Sequence, residues 1–143
     1  MADEETIVTT DPTPEPTPPP VLDKTSILDS TKVFCKLPAG YDVYDDELVM
    51  LINVELNVLN QAGVGVTGFQ IADATSKWSD FLGENEEKQS IAKQFVWQRV
   101  KVKFDPPANS FVQDAILKST EEMIWRANVQ AEGSFEESIS DAD

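Results

Sequence analysis

Few side chains of this chain could act as general bases, nucleophiles or metal ligands. The sequence contains no histidine and a single cysteine, Cys35. Most catalytic dyads and zinc sites need an imidazole or several thiolates, so these kinds of site are excluded. We therefore expect a protein that is not an enzyme and that binds neither a cofactor nor a metal ion.

Three short patterns still deserve a chemical interpretation. Asp45 and Asp46 could form an acid–base pair or bind a divalent cation, but they stand where a helix begins, which favours a capping role. Residues 63–68, GVGVTG, resemble a phosphate loop only faintly, because they follow a helix and no Lys-Ser/Thr pair comes after them. Cys35 lies among apolar residues, so we expect it to pack in the core rather than to react.

The acidic charge of the chain is concentrated at its two ends. The 143 residues include 26 acidic and 11 basic side chains, for a net charge of −15. Residues 1–24 contribute −5 and residues 131–143 contribute another −5. Acidic ends repel phosphate, so we expect no binding of nucleic acid through counterion release.

Both ends have the composition of disordered tails. Residues 9–20, TTDPTPEPTPPP, hold six of the nine prolines and offer nothing apolar to bury. We therefore expect a mobile Pro-rich tail over residues 1–24, with a PxxP ligand as the alternative, and an acidic tail over residues 131–143.

The start lacks the features of a signal peptide, and the longest apolar run, Leu48–Ile52, is far shorter than the roughly 20 residues of a membrane span. We expect a soluble intracellular protein with no membrane partner.

Between these tails, apolar residues recur at three- and four-residue steps over residues 25–130, which predicts one helical domain. The predicted helices are 26–37, 45–62, 76–82, 86–104 and 110–131, with a loop over 63–75. The last two are joined by only a few residues, so they must form an antiparallel hairpin. The predicted fold is all-α, a small helical bundle with this hairpin, flanked by disordered N- and C-terminal tails.

Helix boundaries are predicted from capping residues. Asp45 is expected as the N-cap of the second helix and Gly63 as its left-handed stop. Pro106 and its neighbour end the fourth helix, and Asp105 is expected to accept hydrogen bonds from the open amides of the fifth. Ser110 and Gln113 have capping-box spacing. The expected core face of the fifth helix comprises Val112, Ala115 or Ile116, Ser119, Met123 and Ala127.

The fourth predicted helix is unusually basic for an acidic chain. It carries Lys88, Lys93, Arg99, Lys101 and Lys103, five of the eleven basic residues. We expect these residues to pair with Asp114, Glu121 and Glu122, within the chain or in an adjacent subunit. The alternatives are a solvated face, on which the aliphatic stems cover apolar surface, and, less favoured, a nucleic-acid surface.

Several short motifs follow one another in an order that resembles a known family. They are DDELVMLINVELNVLNQAGVG, GF at 68–69, WSDFLG at 78–83, FDPP at 104–107 and NSFVQDAILKSTEEMIWRANVQAE. Together they resemble the small head-tail connector (adaptor) proteins of long-tailed bacteriophages over residues 26–132. The chain departs from the family at residues 95–97, Phe-Val-Trp, where the long helix of the family often carries tyrosines.

The resemblance implies a virion structural protein of the neck, made in the host cytoplasm. It implies a homo-oligomeric ring, expected to be a dodecamer, that lies beneath the portal protein and extends the DNA channel. Its expected partners are the portal and the next connector, stopper or tail protein, while genomic DNA only passes through. Alternatives are another tail-completion or capsid accessory protein, or an acidic DNA mimic that inhibits a host nuclease. A mimic should spread its carboxylates over the folded surface, which disfavours it.

Two groups of residues are candidates for the interfaces of such a ring. Trp and Arg frequently anchor interfaces, and at least one of Trp125 and Arg126 should point away from the core row of the last helix. We expect the end of that helix and the segment after it to contact the portal, and the FDPP turn to form an interface tip. The candidate interface residues are Phe104, Asp105, Pro106, Pro107, Trp125, Arg126, Val129 and Phe135.

Overall fold

A computed structural model describes residues 20–141, except for the side chains of Lys88 and residues 133–141. In this part of the chain there are five α-helices and no strand, which confirms the all-α prediction. The helices are α1 (Ile27–Phe34), α2 (Asp45–Gln61), α3 (Trp78–Leu82), α4 (Glu86–Phe104) and α5 (Ser110–Asp141). The predicted mobile tail lies almost wholly in residues 1–19, outside the described residues.

The central element of the bundle is α4, which contacts each of the other four helices. It forms the predicted hairpin with α5 and packs most extensively, after that, on α2. The buried core is mainly apolar, although Lys32, Glu55 and Thr120 are also buried. Its largest fully buried side chains are Trp78, Phe81, Phe95, Ile27, Leu28, Leu48, Ile52, Leu56 and Leu59.

Two predicted N-caps are wrong. Tyr44, not Asp45, precedes the first turn of α2, and it makes no side-chain capping bond. The Asp45 carboxylate instead lies 2.9 Å from Nζ of the buried Lys32, which compensates the lysine's charge. At the start of α5, Oδ1 of Asn109 accepts from the Phe111 amide at 2.8 Å, while Ser110 is already helical. Asn109 immediately precedes the helix, and asparagine is among the strongest N-caps.

Asp105 closes α4 and does not cap α5. Its amide donates to the carbonyl of Lys101 at 2.8 Å, and no side-chain bond to α5 is present among the described residues. Three residues, Pro106–Ala108, separate it from Asn109, which occupies the capping position. α4 spans Glu86–Phe104, as predicted, and the two prolines follow its end.

The final helix, α5, is longer than predicted, and the side that it buries is not the predicted one. It continues to Asp141, ten residues beyond the predicted end, because residues 132–141 contain no proline and a single internal glycine costs only about 1 kcal/mol. Thr120 is fully buried, whereas Val112, Ala115 and Ser119 of the predicted stripe are exposed. Contact with α4 determines which side of α5 is buried. The pattern of apolar residues in α5 alone does not show which side faces α4. That residues 131–143 form an acidic tail separate from the helical domain stays a prediction.

The loop between α2 and α3 is held by two asparagines of α2. The side-chain amide of Asn53 exchanges two hydrogen bonds with the backbone of Ile71, at 2.8 and 3.0 Å. Asn60, the next-to-last residue of the helix, donates to the Val64 carbonyl and accepts from the Gly68 amide. Gly63 has φ +84°, which confirms the predicted left-handed stop of α2. The loop therefore folds back along the helix that precedes it.

Candidate interaction surface

Of the side chains with catalytic potential, Asp45 and Cys35 are engaged in the fold, whereas Asp46 is exposed. Asp45 is paired with Lys32, and Cys35 is half-buried at the end of α1, where burial raises the pKa of its thiol to about 11. Among the described residues no group of three or more cysteines and carboxylates is arranged to hold a metal ion. No described helix has the length and apolar character that crossing a bilayer requires.

The carboxylate of Glu55 is buried, and this residue was not among the candidates named from the sequence. Glu55 is fully buried, and its oxygens lie 3.0 Å from Nε of Arg99 and 2.6 Å from Nζ of Lys103. It is three residues after Ile52 and four before Leu59, so it falls on the buried face of α2. That spacing was the signal by which the sequence could have revealed it.

This arrangement changes the interpretation of the basic residues of α4. Arg99 and Lys103 pair with Glu55 and not with the acidic residues of α5. Within the described residues, Glu122 pairs instead with Arg126, four residues later, at 2.6 Å. The remaining members of the predicted set, Lys93, Lys101, Asp114 and Glu121, have no ion pair within the described residues. Their pairing with an adjacent subunit stays a prediction.

An open groove lies where the hairpin turns. It has a volume of about 950 Å³ and is bounded by the end of α4, the Pro106–Ala108 turn, the first turns of α5 and the ring of Phe34. Its wall includes Phe111, 79% exposed, and Val112, 43% exposed. We call this feature the turn groove; it is lined by Phe34, Gln98, Lys101, Val102, Asp105, Pro106, Pro107, Ala108, Phe111, Val112, Ala115, Ile116 and Ser119.

The turn groove includes three of the four FDPP residues. Asp105, Pro106 and Pro107 line it, whereas Phe104 packs edge-on against the ring of Tyr44 at a centroid distance of 5.2 Å. Phe104 thus fixes the end of α4 against α2. The basic member of the wall is Lys101, whose Nζ lies 5.6 Å from the centroid of the Phe34 ring. The groove is therefore a mainly apolar depression whose wall carries one cation, Lys101, and one carboxylate, Asp105.

A second exposed apolar feature lies farther along α5. Trp125 is 66% exposed and Val129, one turn later, is 44% exposed. Arg126 is also exposed and is paired with Glu122. One turn before the tryptophan lies Glu121, exposed and without an ion pair among the described residues. We call Glu121, Trp125 and Val129 the α5 ridge. The side chain of Phe135 is outside the described set, and its interface role stays a prediction.

Comparison with known proteins adds one finding. The model of a family described as "Phage connector protein" matches residues 27–134, from the first residue of α1 into the last turns of α5. No curated protein and no solved structure matches the chain. The matched range contains both the turn groove and the α5 ridge.

Proposed function

The chain belongs to the phage connector protein family, and from this premise we propose that it forms a ring beneath the portal of a long-tailed phage. In that position the ring, a dodecamer by resemblance to the family, extends the DNA channel and presents a platform to the next connector, stopper or tail protein. The family supports a role in the virion neck. The number of subunits, the portal contact and the platform are parts of the proposal.

The observation that carries this proposal is the exposure of large apolar side chains on one rigid helix. Phe111, Val112, Trp125 and Val129 are all exposed on α5, which is anchored to the core through Thr120 and Ala127. Exposed apolar patches mark interaction sites, and here there are two, one at each of two separate places on α5; aromatic side chains contribute strongly to binding energy. A domain with such surfaces suits assembly better than catalysis.

The charge of the chain supports passage of DNA without binding. With a net charge of −15, a ring of these chains repels the phosphate backbone and lacks the excess of cations that retains DNA. Two of the cations of α4, Arg99 and Lys103, are both paired with the carboxylate of Glu55, which offsets one of their two charges. The genome would therefore slide through the channel rather than adhere to it.

For the portal contact we propose the end of α5 and the segment that follows it. Phe135 and Ile139 are apolar residues in the last turns of α5, where most neighbours along the chain are acidic or polar. Apolar side chains among acidic and polar neighbours are suited to contact a second protein. This assignment is independent of the α5 ridge, which lies closer to the domain.

The proposal is tested with connector-free, DNA-filled heads of the phage that encodes this chain. We expect the full chain to bind at the portal vertex, to appear as a ring in cryo-electron microscopy and to permit tail joining. Deletion of residues 133–143 should abolish portal binding while circular dichroism shows an intact helical domain. Binding to the tail or to the capsid lattice, with an empty portal vertex, would indicate the tail-completion or capsid accessory alternative.

A further inference from the structure

We infer that neighbouring subunits join through two unlike surfaces of the same helix, the α5 ridge of one copy entering the turn groove of the next. The inference rests on the proposed function and specifies the subunit contact within it. A ring needs a head-to-tail contact, in which one patch of each subunit binds a different patch of its neighbour. The described surface offers one convex and one concave apolar feature that match this requirement.

The turn groove has the properties of a binding site for another protein surface. Phe111 and Val112 are exposed at its wall although they belong to a helix with a well-buried opposite side. Lys101 stands at its edge, in contact with the Phe34 ring and without a carboxylate partner among the described residues. The expected occupant therefore combines an apolar anchor with a carboxylate.

The α5 ridge has this combination. Trp125 is the most exposed tryptophan of the chain, since Trp78 is buried and Trp97 is partly buried. Val129 lies one turn after it and Glu121 one turn before it, so all three share one face of the helix. When Trp125 enters the groove, Glu121 can meet Lys101. Lys101 and Glu121 have opposite charges, and neither has an ion-pair partner within the described part of its own chain. The groove also carries the carboxylate of Asp105, so the proposed pairing is specific to Lys101.

The occupant must come from a second copy because the two surfaces are fixed apart in one chain. Ala115 of the groove and Val129 of the ridge are separated by 14 residues of continuous helix, which is about 21 Å at 1.5 Å per residue. The ridge cannot fold back into its own groove without breaking α5. The same contact, repeated from copy to copy, generates a closed ring or an open filament.

The contact between one ridge and one groove is small. A standard stable interface uses about 20–30 residues from each partner, whereas the ridge supplies one aromatic and one aliphatic anchor. Free subunits should therefore associate weakly. Ring closure adds a second contact to each subunit, and a portal template adds a high local concentration.

Cysteine cross-linking tests the assignment directly. In the full-length Cys35→Ser background, Ala115→Cys marks the groove and Val129→Cys marks the ridge. A disulfide needs Cα atoms within about 7 Å, so these two positions cannot bond within one helix. Oxidation of a mixture of the two single-cysteine chains should give heterodimers, and the chain with both cysteines should give a ladder of higher oligomers. The reactions are run on concentrated free protein and on protein bound to portal-bearing heads.

Two variants provide the matched comparison. Trp125→Ala should reduce the yield of heterodimer about tenfold or more, as expected for the central anchor of an interface. Met50→Ala, which removes a side chain that is 70% exposed on α2 and outside both surfaces, should leave the yield unchanged. Equal effects of the two variants would overturn the inference.

The outcomes separate this inference from the proposed function. Homodimers from either single-cysteine chain, in place of heterodimers, would indicate a two-fold contact and overturn the inference. So would a ring on the portal that shows no cross-link between positions 115 and 129, although the connector function would then stand. A ladder from a chain that never binds portal-bearing heads would support the two surfaces and overturn the proposed function instead.

Discussion

Glu55 shows how one residue determines the electrostatics of the fold. Its carboxylate is fully buried, while the side chains of Arg99 and Lys103 remain 23% and 37% exposed. A buried charge is costly unless it is paired, whereas partly exposed cations can turn to water when their partner is lost. Removing the two cations should therefore lower the stability of the fold more than removing the carboxylate does.

We accordingly predict an asymmetry between substitutions on the two sides of the pair. The double variant Arg99→Met/Lys103→Met should lower the free energy of unfolding by about 3–5 kcal/mol, because it leaves the carboxylate buried and unpaired. Glu55→Met should cost clearly less, since it removes the buried charge and fills the space with an apolar side chain. Urea unfolding with linear extrapolation measures both values. Equal losses would show that Glu55 is not dehydrated in solution.

Gly65 is a second residue whose type is dictated by one contact. It has φ +81°, and a Cβ atom on it would lie 2.3 Å from the ring of Phe81. Gly68 has a similar φ of +75°, but nothing lies within 4 Å of the corresponding position. The two glycines share the same backbone strain and differ in steric crowding.

This pair gives a matched prediction for Gly65→Ala and Gly68→Ala. Both variants should lose about 1 kcal/mol from the left-handed backbone conformation. Gly65→Ala should lose a further 1–3 kcal/mol or so, because the buried Phe81 ring must shift to make room. Thermal unfolding of the two variants side by side measures the difference. Indistinguishable melting temperatures would rule out the close approach of Phe81 to Gly65.

At the scale of elements, the turn between α4 and α5 determines where the groove opens. Asp105 ends α4 through its backbone amide, and Asn109 begins α5 through its side chain. The two prolines between them have no amide to satisfy and restrict the unfolded chain. The hairpin is thus stiff at the point where three of its turn residues line the turn groove.

The assignment of the cap to Asn109 makes a prediction that distinguishes it from Ser110. Asn109→Ala should lower the free energy of unfolding by about 1 kcal/mol, because the Phe111 amide loses its acceptor. Ser110→Ala should have almost no effect, since Ser110 is already inside the helix and is exposed. Chemical denaturation of the two variants checks this. A larger loss for Ser110→Ala would instead support the capping box suggested by the sequence.

At the scale of the whole molecule, long-range repulsion opposes the assembly that the apolar surfaces favour. Each copy carries a net charge of −15, so copies brought together in a ring repel one another. At a salt concentration of 0.15 M such repulsion is screened beyond about 8 Å. The apolar contact of ridge and groove is far less sensitive to salt.

We therefore predict that association of the subunits strengthens as the salt concentration is raised from about 0.05 to 0.5 M. The yield of heterodimer in the cross-linking mixture measures this. A matched chain that lacks residues 1–19 and 133–143 has lost nine acidic and no basic residues, and its yield should depend much less on salt. Weaker association at high salt would mean that ion pairs such as Lys101 with Glu121 dominate the contact.

The sequence by itself determined the features that depend on neighbours along the chain. The bounds of α4, the end of α2 at Gly63 and the hairpin at the two prolines follow from periodicity and from residues that begin or stop a helix. The three- and four-residue recurrence of apolar residues over residues 25–130 also predicted correctly that these helices bury an apolar side. The order of the motifs indicated the family that the comparison then established over residues 27–134.

Only the tertiary structure decided the features that depend on residues distant in the chain. Glu55 meets Arg99 and Lys103 across 44 and 48 residues, and Asn53 meets Ile71 across 18. The rotation of α5, which buries Thr120 and exposes Phe111 and Val112, follows from its packing on α4. Helical periodicity shows that a helix has an apolar side, but when polar and apolar residues share several faces, the neighbouring helix selects the one that is buried. The groove and the ridge exist because of that selection, so they could not be derived from the sequence pattern of α5.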